Sequence, residues 1–575
     1  YLRQVVDERI DFRGRIERAL DPADPERAVG ALLAEKVEAI AVCLVNSFAN
    51  PVHELMLRDI VRRRAPGLPL CISYEVLPEI KEYERTSTTV INAYVMPIVA
   101  SYLRALRAGL DKAGIPARLL LMQSNGGLTS DQAAAERPMN IIESGPAGGV
   151  VGAQALARAK AVPKIITFDM GGTTAKASMV EDGEVSRAAE YSVGGGIMTG
   201  SRLLTGAGYT LKVPAIDLAE VGAGGGSLVW IDGGGALQIG PESAGALPGP
   251  VCYDKGGETP TVTDANVVLG YINPQHLVGG ALTLNADKAR RAFADKVAQP
   301  LGLSLEQAAY GAHLIAASNM IRAIKSISTE RGRDPREFAL FAFGGNGPLF
   351  ASGMARSLGI NRVVVPPSAG LFSSFGLLYA DVEHHYSRTF RRLLRQADLA
   401  EIERAWKALA DQAEAQLAAE EFARDRRRLR RSAALHYQGQ SYELTVPVPD
   451  GAIDARLVDH LEEAFGQEHE KTYGHRAGKD EPVELVSIQI VGQGVRQGSA
   501  IPEHLKPSRA EPRPPPPRRA YFGEAGWLET PILRRSDLSG ARQGPLIIEE
   551  YDATCVVPPD AVAGRDSAGN IVIEL

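Results

Sequence analysis

The residues best suited to chemistry lie in one short turn within residues 165–180. Apolar segments precede and follow this turn, and the second ends at an Asp-Gly pair, so the pattern predicts a two-stranded hairpin. The turn combines one carboxylate with glycine and hydroxyl residues: Asp169, Gly171, Gly172, Thr173 and Thr174. Glycine lets backbone N–H groups approach an anion, threonine adds hydroxyl donors, and the carboxylate can hold hydrated Mg²⁺ against phosphate oxygens. The turn predicts a phosphate site. It is not a P-loop, because a strand rather than a helix follows it.

Two polar loops precede the hairpin. Residues 123–127, Gln-Ser-Asn-Gly-Gly, follow a predicted strand, and residues 143–149, Glu-Ser-Gly-Pro-Ala-Gly-Gly, lead into a helix of small residues. Polar loops after buried strands are typical of ligand sites in α/β sheets, and a helix N-terminus can face an anion. The pair of loops is a stronger signal than either loop alone.

A glycine-rich loop, residues 222–227, follows the hairpin and contains Gly224 and Gly225. It suits two interpretations, a cradle for a cofactor and plain turn chemistry between hairpin strands, and a run of glycines does not decide between them.

A diglycine loop, residues 344–348, follows the predicted strand 338–343 and supplies Gly344, Gly345 and Gly347. Backbone without side chains at a strand end can seat a flat base or a ribose. A close strand-to-helix turn is the alternative, and the repetition of the Asp169 pattern favours a binding loop.

The elements that position these loops follow α/β patterns. Residues 1–85 read as helix, strand, helix, strand, which implies parallel pairing. Arg85 lies among the hydroxyl residues 86–89, which suit either an anion or carbonyl site or, as the commoner use, the N-terminus of a helix. A second helix is predicted from Pro97 to Gly114, with the proline in its first turn. A long helix is predicted over residues 305–330.

Composition excludes some function classes. The 575 residues carry 63 basic and 69 acidic side chains, a formal net charge of −6, which gives no reason to expect a nucleic-acid partner. No apolar run reaches the roughly 18 residues that suggest a membrane span. The four cysteines are scattered, which favours a reduced, cytoplasmic protein. The chain begins at Tyr1, and we expect natural sequence to precede it.

Other candidate groups are weaker. Cys252 is a nucleophile only beside a base, and a buried, inert thiol is the favoured interpretation. Asp264 suits a helix cap. The histidines do not complete a usual metal-ligand set, and whether they bind metal stays open: His384, His385, His469 and His475.

The order of these loops resembles the ATPase superfamily of actin, heat-shock chaperones and sugar kinases. More specifically, the chain resembles the hydantoinase A/5-oxoprolinase family, as an N-methylhydantoinase A-like subunit. The resemblance runs through nearly the whole chain and is carried by residues 82–89, 123–127, 143–149, 168–174, 222–227, 261–266 and 544–553. It implies an α/β fold with two actin-like (RNase H-like) ATPase domains, the first truncated at its N-terminus, and a β-rich α+β C-terminal domain. The implied boundaries are 1–95, 96–390 and 391–575.

Two departures from the family pattern stand out. The family normally opens with another Asp-Val-Gly-Gly-Thr hairpin, which this chain lacks. The diglycine loop often continues to a histidine, but Phe350 follows Leu349 here. No role for that histidine is carried over.

The resemblance implies an ATP-dependent cyclic-amide hydrolase that uses ATP and Mg²⁺. Asp169 would position Mg²⁺-bound water, residues 171–174 would hold the β- and γ-phosphates, and the diglycine loop would face adenosine. Arg85, Asn125 and Glu143 are the candidates for the substrate side. We expect an oligomer that includes a hydantoinase B-type subunit, and we expect no association with a membrane. A subunit of an ATP-dependent ketone carboxylase is the alternative, and an actin-like or chaperone-like nucleotide-dependent binding protein is a further one.

Overall fold

The computed structural model describes residues 2–188, 190–194, 198–199, 208–440, 442–478, 481–495 and 516–575. The fold is mixed α/β and is built around two large sheets. The candidate loops lie at one end of the larger, ten-stranded sheet, which we call the central sheet.

The N-terminal lobe, residues 2–80, has the predicted alternation. Helices Ala23–Ala34 and Val52–Arg64 alternate with strands Ile40–Val42 and Leu70–Ile72. The two strands pair in parallel, as predicted. Apolar side chains of all four elements form one small core.

The central sheet contains the Asp169 hairpin, which we define as strands Lys164–Met170 and Ala175–Glu181. Strand Ala339–Phe343 lies beside the first hairpin strand in parallel and is buried along its whole length. A run buried on both faces is expected of a parallel central strand. In spatial order, the strands are Met198–Thr199, Ala219–Val221, Ala175–Glu181, Lys164–Met170, Ala339–Phe343, Arg362–Val365, Ile571–Glu574, Val562–Arg565 and Arg542–Gln543, with Glu184–Val185 beside the second hairpin strand.

The second sheet is mostly antiparallel. In spatial order, its strands are Leu444–Val448, Arg427–Tyr437, Val483–Gly494, Val382–Leu393, Leu128–Ser130 and Leu120–Met122. Helices Leu399–Ala419 and Ala455–Tyr473 contribute to its core.

The implied boundary at residue 390 falls within a strand of the second sheet. Strand Val382–Leu393 runs across that position. Three tail strands, Arg542–Gln543, Val562–Arg565 and Ile571–Glu574, belong to the central sheet. The tail strand Ile571–Glu574 pairs with Arg362–Val365, so residues 391–575 contribute to both sheets.

One long helix replaces two expected segments. The sequence predicts a helix that begins at Pro97, but a single helix runs from Glu82 to Lys112 with Pro97 inside it. Among the described helices it is the one that is long and apolar enough to cross a membrane, judged by length and composition only. Two of its polar side chains, Thr89 and Asn92, are fully buried and form hydrogen bonds within the protein. Asn92 donates to the Glu136 carbonyl at 3.1 Å, and the Thr89 hydroxyl donates to the Arg85 carbonyl at 2.7 Å.

The remaining elements connect the sheets or cover them. The other α-helices are Ser73–Val76, Asp131–Glu136, Ser144–Ala159, Val262–Val268, Ala286–Phe293, Gln299–Leu301, Leu305–Ile327, Gly347–Leu358 and Phe372–Tyr379. The other strands are Arg9–Ile10, Ile16–Arg18, Arg187–Ala188, Tyr191–Val193, Tyr209–Leu211, Ala215–Ile216, Ser227–Ile231, Leu237–Ser243, His276–Leu277, Leu282–Thr283, Arg518–Tyr521, Trp527–Thr530, Ile532–Leu533, Leu546–Glu549 and Thr554–Val557.

Two helices meet backbone to backbone beside the hairpin. Helix Ser144–Ala159 and helix Phe372–Tyr379 cross at Gly148 and Gly376, where a Cβ on Gly376 would overlap the Gly148 carbonyl oxygen. A Cβ on Gly148 would lie 2.6 Å from the carbonyl oxygen of Ser373. Small residues are therefore needed on both helices, and the close contact fixes Ser373 near the end of the central strands.

Gly376→Ala should destabilise the protein by about 1–3 kcal/mol or more, because the new methyl group meets backbone that cannot rotate away. Chemical denaturation followed by circular dichroism measures the change. Gly353→Ala is the matched control, since Gly353 is also inside a helix but is exposed, with no atom within 4 Å of its Cβ position. The control should be neutral or gain up to about 1 kcal/mol. Equal stability of the two variants would contradict the close crossing.

Candidate functional site

Asp169 lies near the end of the first hairpin strand, between two neighbours. Its cross-strand partner on one side is Phe343, which precedes the diglycine loop, and on the other side it is Lys176. The Ser373 hydroxyl donates to Asp169 Oδ2 at 3.3 Å. Burial raises the pKa of Asp169, and the Ser373 hydrogen bond and the Lys176 charge offset only part of that effect.

The turn after Asp169 presents its backbone outward. Gly171 N donates to the Thr174 carbonyl at 3.1 Å and closes the turn. Gly172 and Thr173 are exposed, while Gly171 and Thr174 are half-buried. No atom lies within 4 Å of the Cβ positions of Gly171 and Gly172. The sequence-predicted phosphate residues therefore share one open face.

The glycine-rich loop packs against this turn and donates hydrogen bonds to its carbonyl groups. Gly225 N donates to the Gly171 carbonyl at 3.1 Å and Gly226 N donates to the Gly172 carbonyl at 2.7 Å. A Cβ on Gly224 would lie 2.5 Å from the Gly172 carbonyl oxygen. Gly224 N donates to the Ser227 hydroxyl at 2.9 Å. The N–H groups of Gly224 and Gly225 already have partners in the protein, and these two glycines position the turn. Their role in binding a cofactor stays a prediction.

The diglycine loop reaches the same turn from the other side. Asn346 Nδ2 donates to the Gly171 carbonyl at 3.1 Å, and Asn346 N donates to the Met170 carbonyl at 3.0 Å. Gly344 has φ +80°, and a Cβ there would overlap the Asp169 carboxylate. Glycine is therefore required at Gly344 both for its backbone conformation and for space.

The outer part of the diglycine loop is open. Gly345 is exposed, whereas Gly344 and Gly347 are buried. The carbonyl oxygen of Asp552, from the tail, lies 3.6 Å from the Cβ position of Gly345. Of the three predicted glycines, Gly345 is the one that offers a surface, and the tail forms one wall beside it.

Glu143 joins the site from the N-terminus of helix Ser144–Ala159. Its Oε2 lies 3.2 Å from Lys176 Nζ, and its N–H donates to the Ser124 hydroxyl at 3.1 Å. Ser124 Oγ also lies 3.5 Å from the Tyr191 hydroxyl. Burial raises the pKa of Tyr191 to about 12, so this phenol stays protonated at neutral pH.

Arg85 and Asn125 have structural partners. Arg85 donates to the carbonyl oxygens of Glu79 at 2.6 Å and Leu44 at 2.9 Å, both in the N-terminal lobe. Asn125 Oδ1 accepts the Gly127 N–H at 2.7 Å within its own loop. These contacts do not bring Arg85 to the Asp169 hairpin. Its substrate role stays a prediction.

The histidines pair with neighbouring oxygens. His384 Nε2 lies 2.8 Å from Glu420 Oε2, His385 Nε2 lies 3.4 Å from Glu383 Oε2, and His469 Nδ1 lies 2.9 Å from the His475 carbonyl oxygen. Within the described residues, no group of three or more His, Cys, Asp or Glu side chains is arranged to hold a metal ion.

Cys252 and Asp264 are structural, as the sequence analysis favoured. Asp264 Oδ1 accepts the Cys252 N–H at 2.7 Å, and Asp264 forms a capping box with Thr261. Cys252 is fully buried, and burial raises the pKa of its thiol, with Asp264 adding to the effect. A buried thiol with a raised pKa stays protonated and does not act as a nucleophile.

Four residues of the site were missed by sequence reasoning: Lys176, Glu220, Asn346 and Ser373. Lys176 had a usable signal, because a charge inside an otherwise apolar strand needs partners. The other three come from separate segments that only tertiary pairing brings to Asp169.

A groove of about 950 Å³ lies elsewhere, between the N-terminal lobe, strand Val382–Leu393 and helix Leu399–Ala419. Its lining mixes arginines such as Arg13, Arg137 and Arg388 with Glu75 and Glu484. Of the candidate residues named from the sequence, its described lining includes His385 and none of the predicted ATP-site or substrate-side residues. We place the candidate site at the loops because chemistry-bearing groups converge there.

Asp169→Asn should stabilise the ligand-free protein at neutral pH. The raised pKa of Asp169 means that stability is lost as pH rises through its folded value, so the neutral amide avoids a cost that the ionised carboxylate carries. Thermal unfolding should give a higher Tm for the variant at pH 7.5, and the difference should shrink as pH falls towards the ordinary aspartate range.

Asp232→Asn is the control of opposite sign. The N–H of Ala236 and the Gln238 amide lower the pKa of this carboxylate, which lies at the start of an exposed turn. Its variant should therefore show an equal or lower Tm at pH 7.5. A lower Tm for Asp169→Asn than for wild type at that pH would contradict the burial of an unfavourable charge at Asp169.

Three family models cover most of the chain. The Hydantoinase/oxoprolinase model matches residues 85–386, the Hydantoinase/oxoprolinase N-terminal region matches residues 1–65, and the Hydantoinase/oxoprolinase C-terminal domain matches residues 391–568.

Relatives match over nearly the whole chain. The caprolactamase subunit alpha of Pseudomonas jessenii is 34% identical over 97% of this chain and 79% of its own length. The acetophenone carboxylase gamma subunit of Aromatoleum aromaticum is 31% identical over 99% of this chain and 78% of its own length. The crystal structure of the ATP-dependent caprolactamase from Pseudomonas jessenii superposes with a TM-score of 0.85 and 33% identity, over 99% of this chain and 81% of that one.

The family models match more than half of the chain, and relatives above 30% identity extend over nearly all of it. The chain belongs to the hydantoinase/oxoprolinase family.

Proposed function

We propose that the chain is a subunit of an ATP-dependent hydrolase that opens cyclic amides of the hydantoin, N-methylhydantoin, 5-oxoproline or related lactam type. The observation that carries the proposal is that the glycine-rich loop and the diglycine loop both contact the Gly171 carbonyl of the Asp169 turn, beside the half-buried carboxylate of Asp169. The similarity to an ATP-dependent caprolactamase supports the same reaction class.

The proposed chemistry has two stages. The bond between the γ-phosphorus and the bridging oxygen of ATP breaks while the amide oxygen forms a bond to that phosphorus, which makes the ring carbon electrophilic. Water adds to the carbon and the ring C–N bond breaks to leave a carboxyl phosphate. A second water then releases phosphate, so the products are the open-chain acid, ADP and phosphate. The protein supplies positioning and charge stabilisation, which dominate in phosphoryl transfer.

The exposed face of the turn suits the phosphates. Gly172 and Thr173 are accessible, and no atom occupies the space next to Gly171 and Gly172. We assign the β- and γ-phosphates to the hydroxyls and backbone of residues 171–174, apart from the Gly171 N–H, which already donates to the Thr174 carbonyl. Gly345 would contact adenosine, while Gly344 and Gly347 allow the close approach of that loop.

A single half-buried carboxylate suits Mg²⁺, which keeps several waters and takes one or two carboxylates together with substrate phosphates. Asp169 would hold this hydrated ion. Glu143, which lies across Lys176 from Asp169, would face the substrate.

The assembly and its setting are also part of the proposal. Two actin-like domains would enclose the nucleotide, a hydantoinase B-type subunit would complete the active enzyme, and the enzyme would be a cytoplasmic oligomer. The four cysteines, none of which forms a disulfide in the described structure, suit a reducing compartment.

A subunit of an ATP-dependent ketone carboxylase is the second candidate, supported by the 31% identity to an acetophenone carboxylase gamma subunit. ADP release by the full-length protein with its partner separates the two candidates. Stimulation by caprolactam, hydantoin or 5-oxoproline supports the amide hydrolase. Stimulation only by a ketone with bicarbonate would replace it with the carboxylase.

Asp169→Ala should reduce ATP turnover about 100-fold or more, because a preorganised charge element is lost. The assay is steady-state ADP release at saturating substrate. Asp232→Ala is the control, since that carboxylate lies in an exposed hairpin turn, and it should retain wild-type turnover. Near-normal turnover of Asp169→Ala would refute the assignment.

A further inference from the structure

We propose that Lys176 is a further catalytic residue of this site, whose ammonium group contacts the phosphoryl group that is transferred. The assignment rests on the proposed function, which places ATP at the Asp169 turn. It adds a cation to a set of residues in which the sequence analysis recognised only a carboxylate, glycines and threonines.

The position of Lys176 follows from strand register. It lies in the second hairpin strand, where its direct cross-strand partners are Asp169 on one side and Glu220 on the other. Side chains directly opposite each other in antiparallel strands project from the same face of the sheet. Lys176 therefore shares the face on which Asp169 is presented.

The ammonium group is held by two carboxylates. Lys176 Nζ lies 3.2 Å from Glu143 Oε2 and 3.4 Å from Glu220 Oε1. Both distances exceed the 2.7–2.9 Å that is usual for charge-assisted N–H···O hydrogen bonds, so neither contact is tight. An ammonium has three donors, and two carboxylates leave one donor for a third partner.

The negative charge around Lys176 indicates what its remaining N–H donor could bind. Glu143 and Glu220 place two carboxylates beside the ammonium, and Asp169 adds a third on the same face of the sheet. A polyphosphate that approached such a face without a local cation would be repelled. Burial works against the charge of Lys176, but Glu143 and Glu220 outweigh it and raise its pKa, so the side chain stays protonated.

An ordinary structural ion pair looks different. Lys164, at the far end of the same hairpin, pairs with Glu337, and the two side chains are 32% and 57% exposed. The Lys176 side chain is only 18% exposed, and it lies beside the turn that offers open backbone. A surface pair contributes little, whereas a half-desolvated cation next to an anion site has a strong effect on binding.

The chemical contribution is electrostatic. During transfer, negative charge is spread over the oxygens of the moving phosphoryl group while one P–O bond breaks and another forms. Lys176 would stabilise that charge without losing its proton. It would contact ATP through the γ-phosphate and would make no such contact with ADP.

The test is differential nucleotide binding by the full-length protein. In the presence of Mg²⁺, Lys176→Gln should bind a non-hydrolysable ATP analogue about tenfold or more weakly than wild type, while its Kd for ADP should change by less than about threefold. Its ATP turnover should fall about 100-fold. Lys164→Gln, the matched control, should behave as wild type in all three measurements.

A second measurement needs no variant. Acetylation of lysines in wild-type protein, read by mass spectrometry, should be slowed at Lys176 by the ATP analogue and much less by ADP, with no nucleotide effect at Lys164. Equal protection by both nucleotides, or an equal loss of affinity for both in Lys176→Gln, would overturn the assignment and indicate a structural ion pair. Failure of wild type to bind either nucleotide would overturn the proposed function itself, and Lys176 with it.

Discussion

The carbonyl oxygen of Gly171 accepts two hydrogen bonds, from Gly225 N and from Asn346 Nδ2, each at 3.1 Å. The rest of the candidate site depends on this double contact, because it ties the Asp169 turn to the glycine-rich loop and to the diglycine loop. The approach is possible only without side chains, since a Cβ at Gly224 or at Gly344 would meet backbone or carboxylate atoms. The glycines therefore fix the relative positions of three segments that are far apart in sequence.

The same packing creates an electrostatic cost. Asp169 is buried enough that its pKa is raised, and Lys176 and Ser373 compensate only in part. A desolvated carboxylate lowers the stability of the folded protein at neutral pH. Such a cost is typical of residues that serve in ligand binding, here of a cation or of a cation with its anion. Lys176 in turn requires Glu143 and Glu220, so the charges of the site form one connected set rather than separate pairs.

Local patterns predicted much of this from sequence. Apolar segments on both sides of a glycine turn predicted the hairpin, which the structure places at Lys164–Met170 and Ala175–Glu181. The parallel pair in the N-terminal lobe and the helix Leu305–Ile327 were also predicted. Helix and strand periodicity and turn chemistry are local, so a sequence can report them directly.

The features that the sequence did not predict depend on contacts between segments that are far apart in the chain. Ser373 reaches Asp169 only because two helices cross at Gly148 and Gly376, and the tail joins the central sheet through strand Ile571–Glu574. Pro97 was expected to begin a helix, but the chain continues through it within Glu82–Lys112. The proline therefore lies inside a continuous helix, where the local rule places it in a first turn.

The most direct test of the central claim, that the three loops form one nucleotide site, is hydrogen–deuterium exchange of the full-length protein with and without ADP and Mg²⁺. Peptides that contain residues 169–174, 222–227 and 344–348 should gain protection together, while the histidine-bearing helix Ala455–Tyr473 should not change. Protection of only one loop, or protection confined to the groove beside strand Val382–Leu393, would contradict the account.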